Sequence, residues 1–269
     1  MTEADNIFVG SVPAIYDRFL GPLLFEPYAY DLALRVADLS PLRVLEVAAG
    51  TGIVTEQLVR ALSKDAVITA TDLNQAMLNV ASAKFASSNV KLQQCDAMHL
   101  TFGDAEFDAV VCQFGIMFFP DKVAAYREAR RVLRPGGAFL FNVWDSLEKN
   151  ELPKVVSEAV ASAFPDDPPD FFARTPHGYY DSDAIRDGLV AAGFRNVTTE
   201  RVKLRSKAAS SHDAATGFCQ GTPLRNEIEK RDGSRLAVVT DGAAAAVSAR
   251  FGPGAVDVPM QAIVISATA

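Results

Sequence analysis

Between residues 43 and 143 short apolar runs alternate with stretches of helical periodicity, and few architectures absorb that pattern. Residues 43 to 48 read as a buried strand, after which Val54, Leu58, Ala61 and Leu62 recur at helical spacing. Residues 67 to 71 give a second strand, followed by Leu73, Met77, Val80 and Ala81 at the same spacing. A third strand is expected at 90 to 94. Phe107 to Cys112, apolar on both faces, predicts a central fourth. A helix over 122 to 133 is expected to stop at Pro135-Gly136-Gly137, since proline lacks a donor and glycine permits a reversal. Ala138 to Val143 then reads as a fifth strand. Repeated strand–helix units of this kind predict a parallel sheet covered by helices.

Beyond Trp144 the pattern loosens. Leu152, Val155, Val156, Ala159 and Val160 mark an amphipathic helix that runs into the proline-rich loop 164 to 170. Asp181 to Ala192 predicts another helix closed by Gly193, and Val197 to Leu204 alternates like an edge strand. Further helical stretches fill 205 to 258, including the alanine-rich 236 to 250, before residues 262 to 267 form a last buried strand. So long an excursion between two strands suggests a cap. The first 40 residues are rich in aromatics (Phe8, Tyr16, Phe19, Phe25, Tyr28, Tyr30), which serve a core or a lid.

Composition narrows the partners. With 26 basic against 33 acidic side chains and a net charge of −7, the chain has no broad cationic face for phosphates, so nucleic acid is not an expected partner. No apolar run approaches membrane-spanning length and the N-terminus lacks a signal-peptide core, so no membrane partner and a cytoplasmic location are expected. Cys95, Cys112 and Cys219 are odd in number and far apart, which fits reduced core thiols rather than a disulfide framework. No cluster has metal-ligand spacing, and no Gly-x-Ser-x-Gly elbow supports a hydrolase.

Open parallel sheets bind ligands beyond the carboxyl ends of their strands, which directs attention to Glu46-Val47-Ala48-Ala49-Gly50-Thr51-Gly52 after the first strand. Glycines let a ligand approach the backbone, and the helix that follows turns its N–H groups toward negative charge. Dinucleotides and amino-acid-bearing cofactors both use such turns. Thr55 stands where the third glycine of the dinucleotide fingerprint would be, and Glu46 would repel a pyrophosphate but suit an ammonium group. Asp72, twenty-six positions after Glu46 at the end of strand two, fits ribose hydroxyls in either class.

These residues resemble the class I S-adenosylmethionine-dependent methyltransferases, particularly the ubiquinone/menaquinone-biosynthesis-like group and its type 11 relatives. The resemblance is strong over residues 43 to 144 and rests on Glu46 to Gly52, with Ala48 where glycine is commoner, on Asp72, and on Asp96 after strand three. It implies a Rossmann-like α/β fold: a doubly wound, seven-stranded, mostly parallel sheet with helical cap insertions at about 146–177 and 206–258. A helical lid over 1–40 would precede the methyltransferase domain of 41–269. It further implies S-adenosylmethionine held by Glu46, Ala48, Gly50, Thr51 and Gly52, with Leu73 and Met77 flanking the adenine and Asp96 and Ala97 at its amino edge. Gln113 would hold the methionine end. Tyr16 resembles a tyrosine of an N-terminal helix that closes over the cofactor, or else is a core residue.

Methyl transfer needs alignment and exclusion of water rather than a nucleophilic side chain, so no catalytic residue is assigned. The acceptor is expected to be a small organic molecule, methylated on oxygen, carbon or nitrogen. His177, at the end of the first insertion, is a candidate substrate contact; the plainer reading is a solvated or capping histidine. His99 and His212 show no partner in the sequence. A nicotinamide-dependent oxidoreductase and a non-catalytic cofactor-binding module are the alternatives.

Overall fold

The computed structural model describes residues 10–85 and 89–269, so Phe8 lies outside the described residues. Helix α1 (Val12–Ile15), a π-helical segment (Tyr16–Phe25) and α2 (Glu26–Ala37) come first. Within the π segment Pro22 lacks a donor, and the Glu26 N–H reaches five residues back to the Gly21 carbonyl. Then follow β1 (Arg43–Val47), α3 (Ile53–Ala61), β2 (Val67–Asp72), α4 (Gln75–Ser82), β3 (Val90–Gln94), β4 (Phe107–Gln113), α5 (Lys122–Val132) and β5 (Leu133–Trp144). The remainder comprises α6 (Glu151–Ala163), α7 (Phe171–Arg174), α8 (Ser182–Ala191), β6 (Arg195–Ala208), α9 (Ser211–Gln220), α10 (Leu224–Asp232), α11 (Leu236–Phe251) and β7 (Val256–Thr268).

Two compact units share these elements. One is built from Tyr28–Trp144, Tyr180–Val202 and Ala262–Ala269; the other from residues up to Pro27, Asp145–Tyr179 and Lys203–Gln261. The first carries the seven-stranded sheet in the order β3-β2-β1-β4-β5-β7-β6. Strands β1 to β5 pair in parallel, and β7 runs antiparallel to β5 from Ala262 to Thr268. The strand order reverses between β1 and β4, which makes their carboxyl ends the switch point. Val44, Leu45, Ala109, Val110 and Val111 are fully buried, as the apolar runs predict for strands covered on both faces.

Helix starts follow local chemistry. The side chains of Asn74, Asp121 and Asp181 accept first-turn N–H groups of α4, α5 and α8. Leu73, expected within the second helix, therefore precedes it and is exposed. Gly193, at φ +92°, follows the last turn of α8.

Pro135-Gly136-Gly137 departs from expectation. Leu133 already pairs with Phe107, and Ala138 next pairs with Ala109, so the segment is a bulged part of β5 rather than a turn before it. It is held by Ala269: Gly136 donates to the Ala269 carbonyl at 3.2 Å, and Ala269 donates to Gly137 at 2.8 Å. The last two strands are also longer than expected, β6 running from Arg195 to Ala208 and β7 from Val256 to Thr268.

The second unit is mainly helical. Its core includes Leu20 and Leu23 of the π segment, Val156 and Val160 of α6, Phe171, Phe218 and Val247. A Cβ at Gly217 would fall 2.8 Å from Leu20, so glycine lets α9 lie against the π segment. The Phe172 and Phe218 rings meet edge to face at 5.4 Å.

The aromatic N-terminus divides between roles. Tyr28 is fully buried, donates to the Val202 carbonyl at 2.9 Å, and meets Phe114 and Trp144 edge-on. Tyr30 is exposed, and Tyr16, half-buried, stacks on Phe25 at 4.7 Å.

Candidate cofactor site

Glu46 is 1% exposed and accepts a hydrogen bond from the Thr55 hydroxyl at 2.6 Å, so it is an enclosed group rather than a solvated charge. Burial pushes its carboxyl up to about 8; the Thr55 bond opposes the rise and the charge of Asp72 adds to it. The Thr71 hydroxyl donates to the Glu46 carbonyl at 3.0 Å, and Ala49 donates to Thr71 at 2.9 Å, which joins the turn to β2.

After β1 the backbone turns left-handed at Ala48 (φ +54°), Gly50 (φ +58°) and Gly52 (φ +81°). Glycine adopts that region freely, whereas alanine there costs about 1–2 kcal/mol. Phe114, at the end of β4, is also left-handed (φ +51°). Two such non-glycine residues at the switch point are the strained backbone that binding sites retain. A Cβ at Gly115 would lie 2.6 Å from the Ala48 Cβ, so the two turns touch.

Asp72 anchors the turn from β2. One carboxylate oxygen accepts the Gly50 N–H at 2.8 Å and the other the Asn74 N–H at 2.7 Å. Burial holds its carboxyl above the ordinary range, opposed by those two N–H groups. The Asp72 carbonyl accepts the Cys95 N–H at 3.0 Å, and Gln94 donates to the Leu73 carbonyl at 2.8 Å, which ties the ends of β2 and β3. Asp96 accepts from the Met98 N–H at 2.9 Å and meets His99 at 3.1 Å; His99 thus has a partner that the sequence did not reveal. Ala97 is half-buried, and Met77 is buried 3.7 Å from where a Gly50 Cβ would lie.

On β4 and β5, the fully buried Asn142 accepts the Phe114 N–H at 3.1 Å and donates to Gln113 at 3.3 Å. The Phe114 ring stacks on Trp144 at 3.8 Å. Glu46, Ala48, Gly50, Thr51, Gly52, Asp72, Leu73, Met77, Asp96, Ala97 and Gln113 thus belong to one unit; Tyr16 and His177 belong to the other.

A family model described as "Methyltransferase domain" matches residues 45–141. The chain is 30% identical to the ubiquinone/menaquinone biosynthesis C-methyltransferase UbiE of Shewanella oneidensis over 206 residues, 70% of this chain and 81% of that protein. It belongs to the class I S-adenosylmethionine-dependent methyltransferases, in their UbiE-like group. The UbiE enzyme of Idiomarina loihiensis is 32% identical over 172 residues, 58% of this chain and 67% of that protein. Among solved structures, YcgJ of Bacillus subtilis superposes with a TM-score of 0.57 at 20% identity, over 90% of this chain and 98% of that one. A phosphoethanolamine N-methyltransferase of Haemonchus contortus gives a TM-score of 0.59 at 17% identity, over 95% of this chain and 57% of that one. The chain is therefore an S-adenosylmethionine-dependent methyltransferase of small molecules, and neither the nicotinamide reading nor the non-catalytic one is favoured.

The residues present fit the methyltransferase's cofactor. Thr51 is 1% exposed and its hydroxyl has no hydrogen-bond partner among the described residues, an orphan inside the glycine turn. Beside it are a buried carboxyl that suits an ammonium and a β2 carboxylate that suits hydroxyls. Thr55 and Asn142 escaped sequence reasoning: Thr55 registered only as a missing glycine, and nothing local marks Asn142. All three cysteines are buried and free, as expected. Burial pushes Cys112, behind the turn, up to about 12 and keeps it a thiol.

In the helical unit His177 is buried rather than solvated, and its Nδ1–H donates to the Asp145 carbonyl at 2.8 Å. His212 is exposed and lies 3.5 Å from Asp241. Burial pulls His177 down to about 4, so it is neutral near pH 7. An unfolded histidine protonates near 6.5; as pH falls from 6.5 to 4 the unfolded chain gains a proton that the native one refuses, and stability falls. The expected loss is about 3 kcal/mol. Glu46 works in the opposite sense between 4.5 and about 8. The readout is therefore the difference between wild type and His177→Asn in urea midpoints at pH 7 and pH 4.5, with the variant showing the smaller acid loss.

Proposed function

We propose that this methyltransferase holds S-adenosylmethionine on the β1–α3 turn and transfers its methyl group to carbon of a small quinone- or phenol-like acceptor. The observation that carries the cofactor assignment is the buried Glu46–Thr55 pair beside a glycine turn anchored by Asp72. When bound, the cofactor supplies a methyl group on a sulfonium whose positive charge disappears on transfer. Glu46 takes the ammonium, Asp72 the ribose hydroxyls, and Thr51 offers its unused hydroxyl to the ligand. Gly50 and Gly52 let the backbone approach, while Ala48 and Gln113, held by Asn142, line the methionine side. Leu73, Met77, Asp96 and Ala97 receive the adenine. These roles amount to binding and alignment, for which no side-chain nucleophile is needed. Tyr16 and His177 are assigned to cofactor and acceptor by resemblance and by place in the sequence.

The acceptor class is supported by the relatives, described as a ubiquinone/menaquinone biosynthesis C-methyltransferase and, for the Staphylococcus aureus protein at 37% identity over 126 residues, a demethylmenaquinone methyltransferase. That second match spans 52% of the relative. Three free thiols accord with a reducing compartment, and we place the enzyme in the cytoplasm. Among the described residues no helix is long and apolar enough to cross a membrane. The test is incubation with methyl-labelled S-adenosylmethionine and a panel of quinols, phenols and amines. Label fixed on ring carbon of a quinol is the expected result, and label on nitrogen or oxygen alone overturns the carbon assignment.

A further inference from the structure

Glu46 sits at the end of β1, fully enclosed, and among the described residues no cationic side chain contributes to its surroundings. The groups that face it are the Asp72 carboxyl from β2, the Cys112 thiol from β4 and the Thr55 hydroxyl from α3. A charged carboxylate there would lack both water and a counter-ion and would confront a second acid. The Thr55 hydroxyl, able to rotate, donates to a carboxylate or accepts from a carboxylic acid, so it accommodates either protonation state.

We propose that Glu46 is a protonated acid in the free protein and releases its proton when the cationic end of S-adenosylmethionine arrives, so that cofactor binding and proton release are one coupled event. The inference rests on the reading that Glu46 meets the ligand's ammonium. The carboxyl O–H bond breaks, its electron pair stays on the oxygen that faces the ammonium, and the proton leaves to the buffer; nothing is oxidised or reduced. The elevated titration of Glu46, about 8, agrees with this order of events. Near pH 7 the ligand's α-ammonium, ordinarily titrating at about 7.7–8.0, is still charged and needs a counter-anion. The enclosure thus makes Glu46 inexpensive to bury while the site is free of ligand and anionic only when a cation is present.

The test is calorimetric titration of the full chain with S-adenosylmethionine at pH 7 in phosphate, HEPES and Tris, which differ in ionisation enthalpy. The dependence of the observed heat on the buffer should report close to one proton released per ligand. Between pH 6 and 7 the affinity should rise by about tenfold, the slope for one released proton. Difference infrared spectra of the wild type should show a carboxylic-acid C=O band lost on binding. Glu46→Gln should lack that band, and any binding it retains should release no proton. Saturable binding with buffer-independent heat and no acid band lost overturns the coupling and leaves the cofactor site standing, as does a full proton still released by Glu46→Gln. No binding by the folded wild type overturns the cofactor reading and the coupling with it.

Discussion

Asp72→Ala is expected to weaken S-adenosylmethionine binding by about 100-fold or more while leaving the sheet folded. Its two carboxylate oxygens each accept a backbone N–H, from Gly50 in the cofactor turn and from Asn74 at the cap of α4. The proposed contacts to the two ribose hydroxyls exist only in the bound state; hydrogen bonds to a charged group contribute about 1.5–3 kcal/mol each, and a factor of ten in affinity is about 1.4 kcal/mol, so losing both amounts to about two decades or more. Truncation would also free the Gly50 N–H, loosen the turn beside Thr51, and remove the proposed acceptor for the ribose hydroxyls. Asp72→Asn retains one acceptor oxygen for the ribose and should lose about tenfold, since only one of the two proposed ligand contacts is given up. Calorimetric titration with S-adenosylmethionine and S-adenosylhomocysteine checks both, with urea unfolding to confirm that the variants fold. A dissociation constant for Asp72→Ala within threefold of wild type would show that Asp72 does not hold the ligand or its turn.

The second large effect concerns packing at the switch point. Gly115→Ala would set a methyl group 2.6 Å from the Ala48 Cβ and 2.8 Å from the sulfur of the fully buried Cys112. Overpacking of that kind costs about 1–3 kcal/mol, and here the upper end is expected because Ala48 is fixed by a left-handed backbone and cannot rotate away. Ala48→Gly removes both the opposing methyl group and the left-handed penalty, so alone it should be neutral or stabilising by up to about 1 kcal/mol. Combined with Gly115→Ala it should recover part of the loss, with a coupling of about 1 kcal/mol or more in a double-mutant cycle. Rescue remains partial because the Cys112 contact persists. Urea unfolding of the four proteins measures the coupling, and strictly additive effects would mean that the two turns do not touch in solution.

Much of this molecule is legible in its sequence because the relevant forces are local. Apolar runs and helical spacing mark β1 to β5 and the helices between them, since a strand buried on both faces or a helix with one apolar face repeats at a fixed interval. The Glu46-to-Gly52 turn and Asp72 are legible for a similar reason: a strand end followed by glycines at a helix start leaves little else for that segment to do. The helix starts are less legible: periodicity begins two helices at Leu73 and Asp181, whereas the short polar side chains of Asn74 and Asp181 cap them from outside.

Other features depend on partners distant in the chain. Thr55 matters through a carboxyl nine residues away, brought to it by the turn, and Asn142 through residues 113 and 114 on the neighbouring strand. The bulge at Pro135-Gly136-Gly137 exchanges hydrogen bonds with Ala269, far away in the sequence. The environment of His177 comes from a carbonyl 32 positions earlier, and no pattern around Thr-Pro-His-Gly announces burial. The sequence alone therefore determined the sheet, its helices and the position of the cofactor turn, since hydrophobic periodicity and backbone permissiveness act within a few residues. Only the tertiary structure decided that Glu46 is enclosed with no cation beside it among the described residues, that Ala48 and Gly115 must share space, and which buried groups stay neutral. Desolvation and packing depend on everything that surrounds a side chain, and most of what surrounds these is remote in sequence.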